Sequence, residues 1–280
     1  MKVGVIGASG VIGHSLIPKL RAQGMTVRGI VRPGSKRTLP DDIQEVVMAD
    51  VLDESALVLA LQGLDAVINL ATRIPASGGD WQQNDQIRTK GMRCLLDALA
   101  WQARPCRLVQ QSIAMLHQTT EVTDESGELC GKGILASALW METVVQTAPV
   151  DWVLIRGAAV YGPGTARDDA YFARIRDGEV ALPTEPDRYL SLIHVEDLAS
   201  AFVTALHAPS RHVYIASDDA PLTYRALFSG LRPCGFVNAD ASPLTALPSF
   251  RVSNRCLKSL GWQPCYPGVF VHRHQCADRA

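Results

Sequence analysis

The chain opens with Met1-Lys2-Val3-Gly4-Val5-Ile6-Gly7-Ala8-Ser9-Gly10-Val11-Ile12-Gly13, and this stretch decides the fold. The apolar run 3–6 predicts a buried strand, and the residues from position 11 onward have a helical pattern. Three glycines at a spacing of three separate the two elements. They allow a tight turn in which backbone N–H groups approach an anion at the helix N-terminus. Strand, glycine loop and helix in this order predict a dinucleotide site whose contact residues are Gly7, Ser9, Gly10, Val11, Ile12 and Gly13.

Beyond this stretch, short apolar runs alternate with helical patterns as far as residue 155. Strands are predicted at 2–6, 26–31, 45–48, 66–70, 107–109 and 152–155, and helices at 11–22, 54–61, 81–101 and 135–147. This alternation is typical of a parallel sheet with helices on both faces. We therefore predict an α/β protein with a doubly wound Rossmann sheet.

The pattern changes after Tyr161-Gly162-Pro163-Gly164, where Pro and Gly interrupt every segment apart from a helix at 195–207 and a strand at 212–215. This change predicts a small C-terminal substrate lobe. The expected domains are a dinucleotide-binding domain at 1–164, completed by 190–217, and a substrate-binding lobe made of 165–189 and 218–280.

Composition excludes several classes of protein. The 280 residues carry a net charge of -1, so no excess of positive charge is present to hold a nucleic acid. No apolar run approaches the roughly 20 residues that cross a bilayer. The seven cysteines are an odd number and form no C-x-x-C pair, which favours a reducing compartment over a disulfide framework. We expect a soluble, cytoplasmic protein that binds neither nucleic acid nor membrane.

The residues after the second and third strands bear on the choice of cofactor. An acidic residue at the end of the second strand would bind the ribose 2′-hydroxyl of NAD, but this chain has Arg32 there, followed by Lys36 and Arg37. A guanidinium pairs with a 2′-phosphate, so NADP is favoured over NAD. Asp50 and Val51 follow the third strand; the Asp50 carboxylate either lies near the adenine amino group or caps the segment that starts at Asp53.

The glycine loop and several later stretches resemble the extended short-chain dehydrogenase/reductase superfamily, of the NAD-dependent epimerase/dehydratase type. The other matching stretches are Asn69-Leu70-Ala71, Ile155-Arg156, Tyr161-Gly162-Pro163-Gly164, Ile193-His194-Val195-Glu196-Asp197-Leu198-Ala199 and Leu260-Gly261-Trp262-Gln263-Pro264. The resemblance covers nearly the whole chain. It implies that Leu70, Ala71 and Thr72 border the cofactor, together with Arg88 on the helix after strand four.

The catalytic set that the family would supply is mostly missing. Ser112 matches the family serine at the end of strand five. Aligning helix 135–147 by Ser137 and Glu142 places Ile134 where the family has its catalytic Tyr and Ala138 where it has its Lys. No Tyr occurs before Tyr161, so no other alignment restores the pair.

Other groups are candidates to supply a proton in place of that Tyr. The resemblance places Tyr161 in a loop that faces the nicotinamide and substrate, where it either donates a proton or packs against substrate. His117 titrates near neutrality and is a second candidate, or else a solvated loop residue. Arg88 stands where the family has an Asn, and it either replaces the positive charge of the missing Lys or lies on the helix surface.

Three functions are compatible with this pattern. The first is an NADP(H)-dependent oxidoreductase acting on a small carbonyl or secondary-metabolite substrate, with Ser112, Tyr161 and His117 as catalytic candidates. The second is an epimerase, dehydratase or isomerase that retains its dinucleotide, and the third is an inactive dinucleotide sensor or scaffold. We predict no metal site, because His272, His274 and Cys276 have no fourth ligand at zinc-site spacing. The apolar faces of helices 81–101 and 135–147 suggest a homodimer.

Overall fold

The computed structural model describes residues 1–75, 79–166, 171–232 and 235–271. They fall into two compact units. The first unit comprises Met1–Ser112, Cys130–Arg156 and Ala199–Tyr214, and the second comprises Ile113–Leu129, Gly157–Leu198 and Ile215–Ala280. The limits of these units are not those of the two domains expected from the sequence, which stay a prediction.

A seven-stranded sheet carries the fold. Its strands are β1 (Lys2–Ile6), β2 (Thr26–Val31), β3 (Glu45–Met48), β4 (Ala66–Asn69), β5 (Arg107–Ile113), β6 (Trp152–Gly157) and, later in the chain, β11 (His212–Ala216). The strand order is β11-β6-β5-β4-β1-β2-β3. The pairs of β1 with β2 and β4, of β2 with β3 and of β4 with β5 are parallel. This confirms the predicted doubly wound sheet.

Helices follow the strands of the first unit. They are α1 (Val11–Ala22), α2 (Glu54–Leu61), α3 (Gln82–Gln86), a π-helical segment (Ile87–Gly91), α4 (Met92–Ala100) and α5 (Ala136–Thr147). Leucines from α2 and α4 pack on buried strand residues such as Val67, Leu108 and Leu154. Burial of this apolar surface stabilises the sheet and fixes where its strands end.

Two predicted elements differ most from the structure. The predicted helix 81–101 is interrupted by the π segment, whose wider turn has no signal in apolar periodicity. The predicted strand 107–109 extends to Ile113, because the polar side chains of Gln110 and Ser112 are buried and continue the strand.

The second unit contains short elements. Its strands are β7 (Ala159–Tyr161), β8 (Val180–Ala181), β9 (Tyr189–Leu190), β10 (Leu192–His194), β12 (Leu222–Thr223) and β13 (Ser242–Pro243), and its helices are α6 (Ala173–Arg176), α8 (Tyr224–Leu231) and α9 (Arg255–Lys258). Helix α7 (Val195–Ala205) runs from this unit into the first. Strands β7 and β10 pair in parallel.

No helix among the described residues is long and apolar enough to cross a membrane. A cytoplasmic location and a homodimer stay predictions.

The cysteines that the structure describes are not all free thiols. Cys94, Cys106, Cys130 and Cys256 are free thiols, but Cys265 is disulfide-bonded. Spacing along the chain does not show which cysteines meet in space.

Asp218 gives the second unit a pH-dependent stability. This side chain is 2% exposed, and burial raises its pKa to about 7. Between about pH 4 and pH 7 the unfolded chain is ionised at this residue while the folded chain keeps its proton, so stability falls as pH rises. We expect Asp218→Asn to remove this fall and to raise the free energy of unfolding at pH 8 by at most about 4 kcal/mol. Urea unfolding from pH 4 to pH 8 checks this, with exposed Asp240→Asn as control; identical pH profiles for both variants would refute it.

Candidate active site

The glycine loop forms a close-packed cradle at the end of β1. Gly7 has a φ of +84°, which favours glycine, and its carbonyl accepts a hydrogen bond from Gly10 N at 2.9 Å. A Cβ on Gly13 would lie 2.3 Å from the Ala8 carbonyl oxygen, so no side chain fits there. Gly10 caps α1 without a side-chain hydrogen bond. The first N–H groups of α1 therefore have no side-chain cap, which fits a bound pyrophosphate.

The cradle lies where the strand order reverses, between β4 and β2. Gly7 N donates to Ile30 O at 3.2 Å and Leu70 N donates to Ile6 O at 3.0 Å, which ties the three strand ends together. In such sheets ligands bind outside the carboxyl ends of the strands at this reversal. Leu70 is buried, Ala71 is half-buried and Thr72 is exposed at this end of β4.

The positive side chains after β2 are exposed. Arg32, Lys36 and Arg37 all project from the loop that follows this strand. Arg32 lies at the same edge of the sheet as the cradle, because β1 and β2 are parallel and paired. This is the end at which an adenosine 2′-phosphate would lie in a fold of this kind.

Asp50 and Asp53 have different local roles. The Asp53 carboxylate accepts from Ala56 N at 3.0 Å and caps α2, whereas Asp50 Oδ1 accepts from Leu52 N at 2.9 Å in the turn before it. Asp50 is therefore not the helix cap, and its proximity to adenine stays a prediction. Val51 packs against the π segment, because a Cβ on Gly91 would lie 2.4 Å from Val51 Cγ2.

Ser112 is engaged in a buried charged network. Its hydroxyl donates to Glu142 Oε1 at 2.5 Å. The same carboxylate accepts from Arg156 through Nε, at 3.1 Å to each oxygen, and through Nη2 at 2.7 Å. Ser112, Glu142 and Arg156 are 3%, 0% and 2% exposed. The proton of Ser112 is thus committed to Glu142, and the hydroxyl has only lone pairs left to offer.

The two positions that the resemblance aligns with a Tyr and a Lys carry apolar side chains at the start of α5. Ile134 lies just before the helix and is 41% exposed, while Ala138 on its first turn is fully buried. Neither side chain can hold or move a proton.

Arg88 lies in the π segment with most of its surface buried. It is 7% exposed, so the alternative of a surface helix residue is wrong. Its Nη1 contacts Ile134 O and Ser137 Oγ, both at 3.5 Å. Burial lowers the pKa of Arg88 from its ordinary value, and the charge of Asp85 offsets this in part.

The two other candidate proton donors belong to the second unit. His117 is fully buried, so the alternative of a solvated loop residue is wrong. Tyr161 is 5% exposed and packs edge-on against His194, with ring centroids 5.2 Å apart, and against Phe172 at 6.0 Å. His194 also stacks on Tyr266 at 3.6 Å. Tyr161 and His194 thus share an aromatic cluster.

Among the described residues no group of His, Cys, Asp and Glu side chains is arranged to hold a metal ion. His272, His274 and Cys276 lie outside the described ranges.

Sequence reasoning missed the pairing of Glu142 with Arg156, although a signal for it exists. Arg156 interrupts an otherwise apolar buried strand, and Glu142 lies on the buried face of α5. Charges at core positions are almost always paired, so each implied the presence of the other.

A model of the NAD-dependent epimerase/dehydratase family matches residues 3–216. The chain belongs to the NAD-dependent epimerase/dehydratase family. The chain is therefore an NAD(P)-dependent oxidoreductase or epimerase. The glycine loop at the end of β1 fits the pyrophosphate of a dinucleotide.

Individual known proteins resemble the chain to different degrees. The 3-diazoavenalumate denitrifying reductase of a Streptomyces species is 30% identical over 95% of this chain and 97% of its own. A ceramide reductase of Caulobacter vibrioides is 24% identical over 77% of this chain and 64% of its own. The crystal structure of UDP-glucose 4-epimerase from Thermus thermophilus with NAD superposes with a TM-score of 0.78, at 21% identity, over 94% of both chains. This last likeness shows the fold.

The buried pair of Glu142 and Arg156 predicts an asymmetric mutational effect. Glu142→Gln leaves the Arg156 guanidinium buried without a counter-charge, so we expect the free energy of unfolding to fall by about 3–5 kcal/mol. The control is Glu45→Gln, whose carboxylate pairs with Lys2 and Arg28 at 38% side-chain exposure and contributes about 1 kcal/mol or less. Urea unfolding at neutral pH measures both; equal losses would contradict a buried network.

Proposed function

We propose that this chain is an NADP(H)-dependent reductase of a small organic substrate. In the proposed reaction the substrate accepts a hydride from the cofactor and receives no proton from the protein. One observation carries the proposal: the Ser112 proton is committed to Glu142, while Ile134 and Ala138 occupy the positions that the resemblance assigns to a Tyr and a Lys. Reduction of a carbonyl creates an alkoxide and needs an acid. An electrophile that is already cationic becomes neutral when it accepts a hydride, so its reduction needs no acid.

Three groups of this chain would hold the dinucleotide. The glycine cradle and the N-terminus of α1 would receive the pyrophosphate, and Arg32 would pair with the 2′-phosphate of NADP. Leu70, Ala71 and Thr72 would border the cofactor at the end of β4. When bound, the nicotinamide supplies a hydride, and the protein supplies orientation and electrostatics.

The Streptomyces relative suggests the substrate class, because its name describes the reductive removal of nitrogen from a diazo compound. We infer for this chain a substrate of the arenediazonium type. The balance closes without an acid: hydride adds to the terminal nitrogen of the cation and gives a neutral diazene. As the diazene loses N₂, its C–N and N–H bonds break, and the hydrogen moves from nitrogen to the ring carbon to form the new C–H bond. One hydride is consumed for each N₂ released, and NADP⁺ is the oxidised product.

The Ser112–Glu142 network suits a cationic substrate. A hydroxyl that donates to a buried carboxylate becomes a better hydrogen-bond acceptor. The electron-rich hydroxyl oxygen of Ser112 would therefore face a positively charged group of the substrate. A carbonyl substrate would instead require a donor, for which Tyr161 and His117 are the predicted candidates.

Arg32 provides the test of cofactor choice. We expect Arg32→Ala to weaken NADPH binding about tenfold or more and to leave NADH binding unchanged, because only NADPH carries the 2′-phosphate. Titration of nucleotide fluorescence measures both affinities. Arg104→Ala is the control, since this exposed residue precedes β5 at the opposite end of the strands. Equal weakening of both nucleotides would refute the assignment.

Turnover with a carboxylate-bearing arenediazonium salt tests the reaction. We expect the protein to oxidise one NADPH for each N₂ released, measured by absorbance and by mass spectrometry of the gas. Tyr161→Phe should leave the rate unchanged, whereas loss of a true general acid costs about 100-fold or more. A rate that collapses in Tyr161→Phe would favour the carbonyl alternative. Binding of NADPH without turnover would contradict the proposal and favour the sensor.

A further inference from the structure

Arg251 of the second unit has an aromatic partner for its guanidinium. Its Cζ lies 4.5 Å from the centroid of the Tyr189 ring. Its Nε is buried, and no described residue accepts a hydrogen bond from it. Within the described ranges, the side chain of Arg251 also forms no ion pair with a carboxylate. A guanidinium carries five N–H donors, so those of Arg251 remain open to a ligand.

The carboxylates just before β9 are already paired with other arginines. Glu185 forms an ion pair with Arg188. Asp187 accepts two hydrogen bonds from Arg225, at 2.8 and 3.0 Å. These pairs take up the negative charge of this segment and leave none of it for Arg251.

No carboxylate of the adjoining loop 119–129, all of which the structure describes, pairs with Arg251 either. The loop lies beside this residue, because Thr123 N donates to Arg251 O at 3.0 Å. Asp124 accepts hydrogen bonds within its own turn, and Glu125 accepts from a backbone N–H of β11 at 2.8 Å. Glu121 is exposed to solvent. The positive charge of Arg251 is therefore not balanced by a partner from either neighbouring segment.

The backbone holds the cation and the ring in place. Tyr189 N donates to Ser249 Oγ at 3.0 Å, and Phe250 N donates to Tyr189 O at 3.1 Å. The residues on either side of Arg251 are Phe250 and Val252, which are 1% and 2% exposed. Arg251 itself is half-buried. Its side chain is thus fixed against the ring and would lose little further freedom on binding a ligand.

A fixed guanidinium with open donors is suited to an oxyanion. Its planar fork presents parallel N–H groups to the two oxygens of a carboxylate, and it keeps its charge at every physiological pH. The phosphates of the proposed cofactor are assigned to the glycine cradle and Arg32 of the first unit. Tyr189 and Arg251 instead fall within the segments 165–189 and 218–280, which the sequence predicts to bind substrate. We therefore expect the anion on the substrate.

We propose that Arg251, stacked on Tyr189, is a receptor for a carboxylate group of the substrate. The guanidinium donates to the carboxylate oxygens, and the ring supports the guanidinium through the cation–π contact. Arg251 then determines specificity, because it favours acids over their neutral analogues. The link to an arenediazonium rests on the proposed function, whereas binding of a carboxylate does not.

Binding of cinnamate and of its neutral amide, cinnamamide, to the NADPH-saturated protein tests the receptor. Calorimetry should show that cinnamate binds the wild type more tightly. Arg251→Met should weaken cinnamate binding about tenfold or more and leave cinnamamide binding unchanged. The control is Arg174→Met in the same unit: this arginine pairs with Glu179 at 3.4 Å, both side chains are 53% exposed, and its loss should have no effect.

Two further variants separate the charge, the fork and the ring. Arg251→Lys keeps a positive charge without the planar fork and should weaken cinnamate binding less than Arg251→Met, which also keeps the test open if Arg251→Met does not fold. Tyr189→Phe keeps the ring and should bind cinnamate like the wild type, whereas Tyr189→Leu should bind it more weakly. All folded variants should keep the wild-type affinity for NADPH, since the groups proposed to hold it belong to the first unit.

The proposal is overturned if cinnamate does not bind at millimolar concentration, if cinnamamide binds as tightly, or if the Arg251 variants bind cinnamate like the wild type. An equal affinity for inorganic phosphate would also overturn it, because the site would then hold a free anion and not a substrate carboxylate. These measurements need no turnover. Reduction of a carboxylate-free arenediazonium would still proceed if the receptor failed, so the two proposals fail separately.

Discussion

The Arg156–Glu142 ion pair is the interaction on which the rest of the site depends. It joins β6 to α5 inside a core from which water is excluded, and the carboxylate holds three guanidinium bonds and the Ser112 hydroxyl at once. Because both charges are satisfied, the pair is tolerated in the core. The same bonds remove the Ser112 proton from the chemistry available at the end of β5.

The arginines of the first unit show how one residue type serves different purposes according to its surroundings. Arg156 is buried and paired, and it organises structure. Arg32 is exposed at the end of β2, where it is available to a phosphate. Arg88 is buried with only two contacts at 3.5 Å, and the nearby charge of Asp85 offsets its burial in part. Exposure and pairing, more than sequence position, distinguish these roles.

The fold was predictable because it is encoded locally. The apolar run of β1, the glycines at 7, 10 and 13 and the helical pattern of α1 identify the Rossmann sheet, and the limits of β1, β2, β3, α1 and α2 agree with the structure. The site was less predictable. The Glu142–Arg156 pair and the burial of Arg88 depend on residues distant in sequence or on a π turn that periodicity does not reveal. The resemblance predicts Ile134 and Ala138 as departures from the family's catalytic pair, but it does not show what their neighbours do.

The origin of the hydrogen that replaces nitrogen in the product tests the account most directly. The reaction should be run with NADPH carrying deuterium at the transferable position of the nicotinamide, in ordinary water, and again with ordinary NADPH in D₂O. The account predicts one deuterium on carbon in the first product and none in the second, since hydride and not a proton supplies this hydrogen. Deuterium that enters from D₂O and not from the cofactor would contradict it.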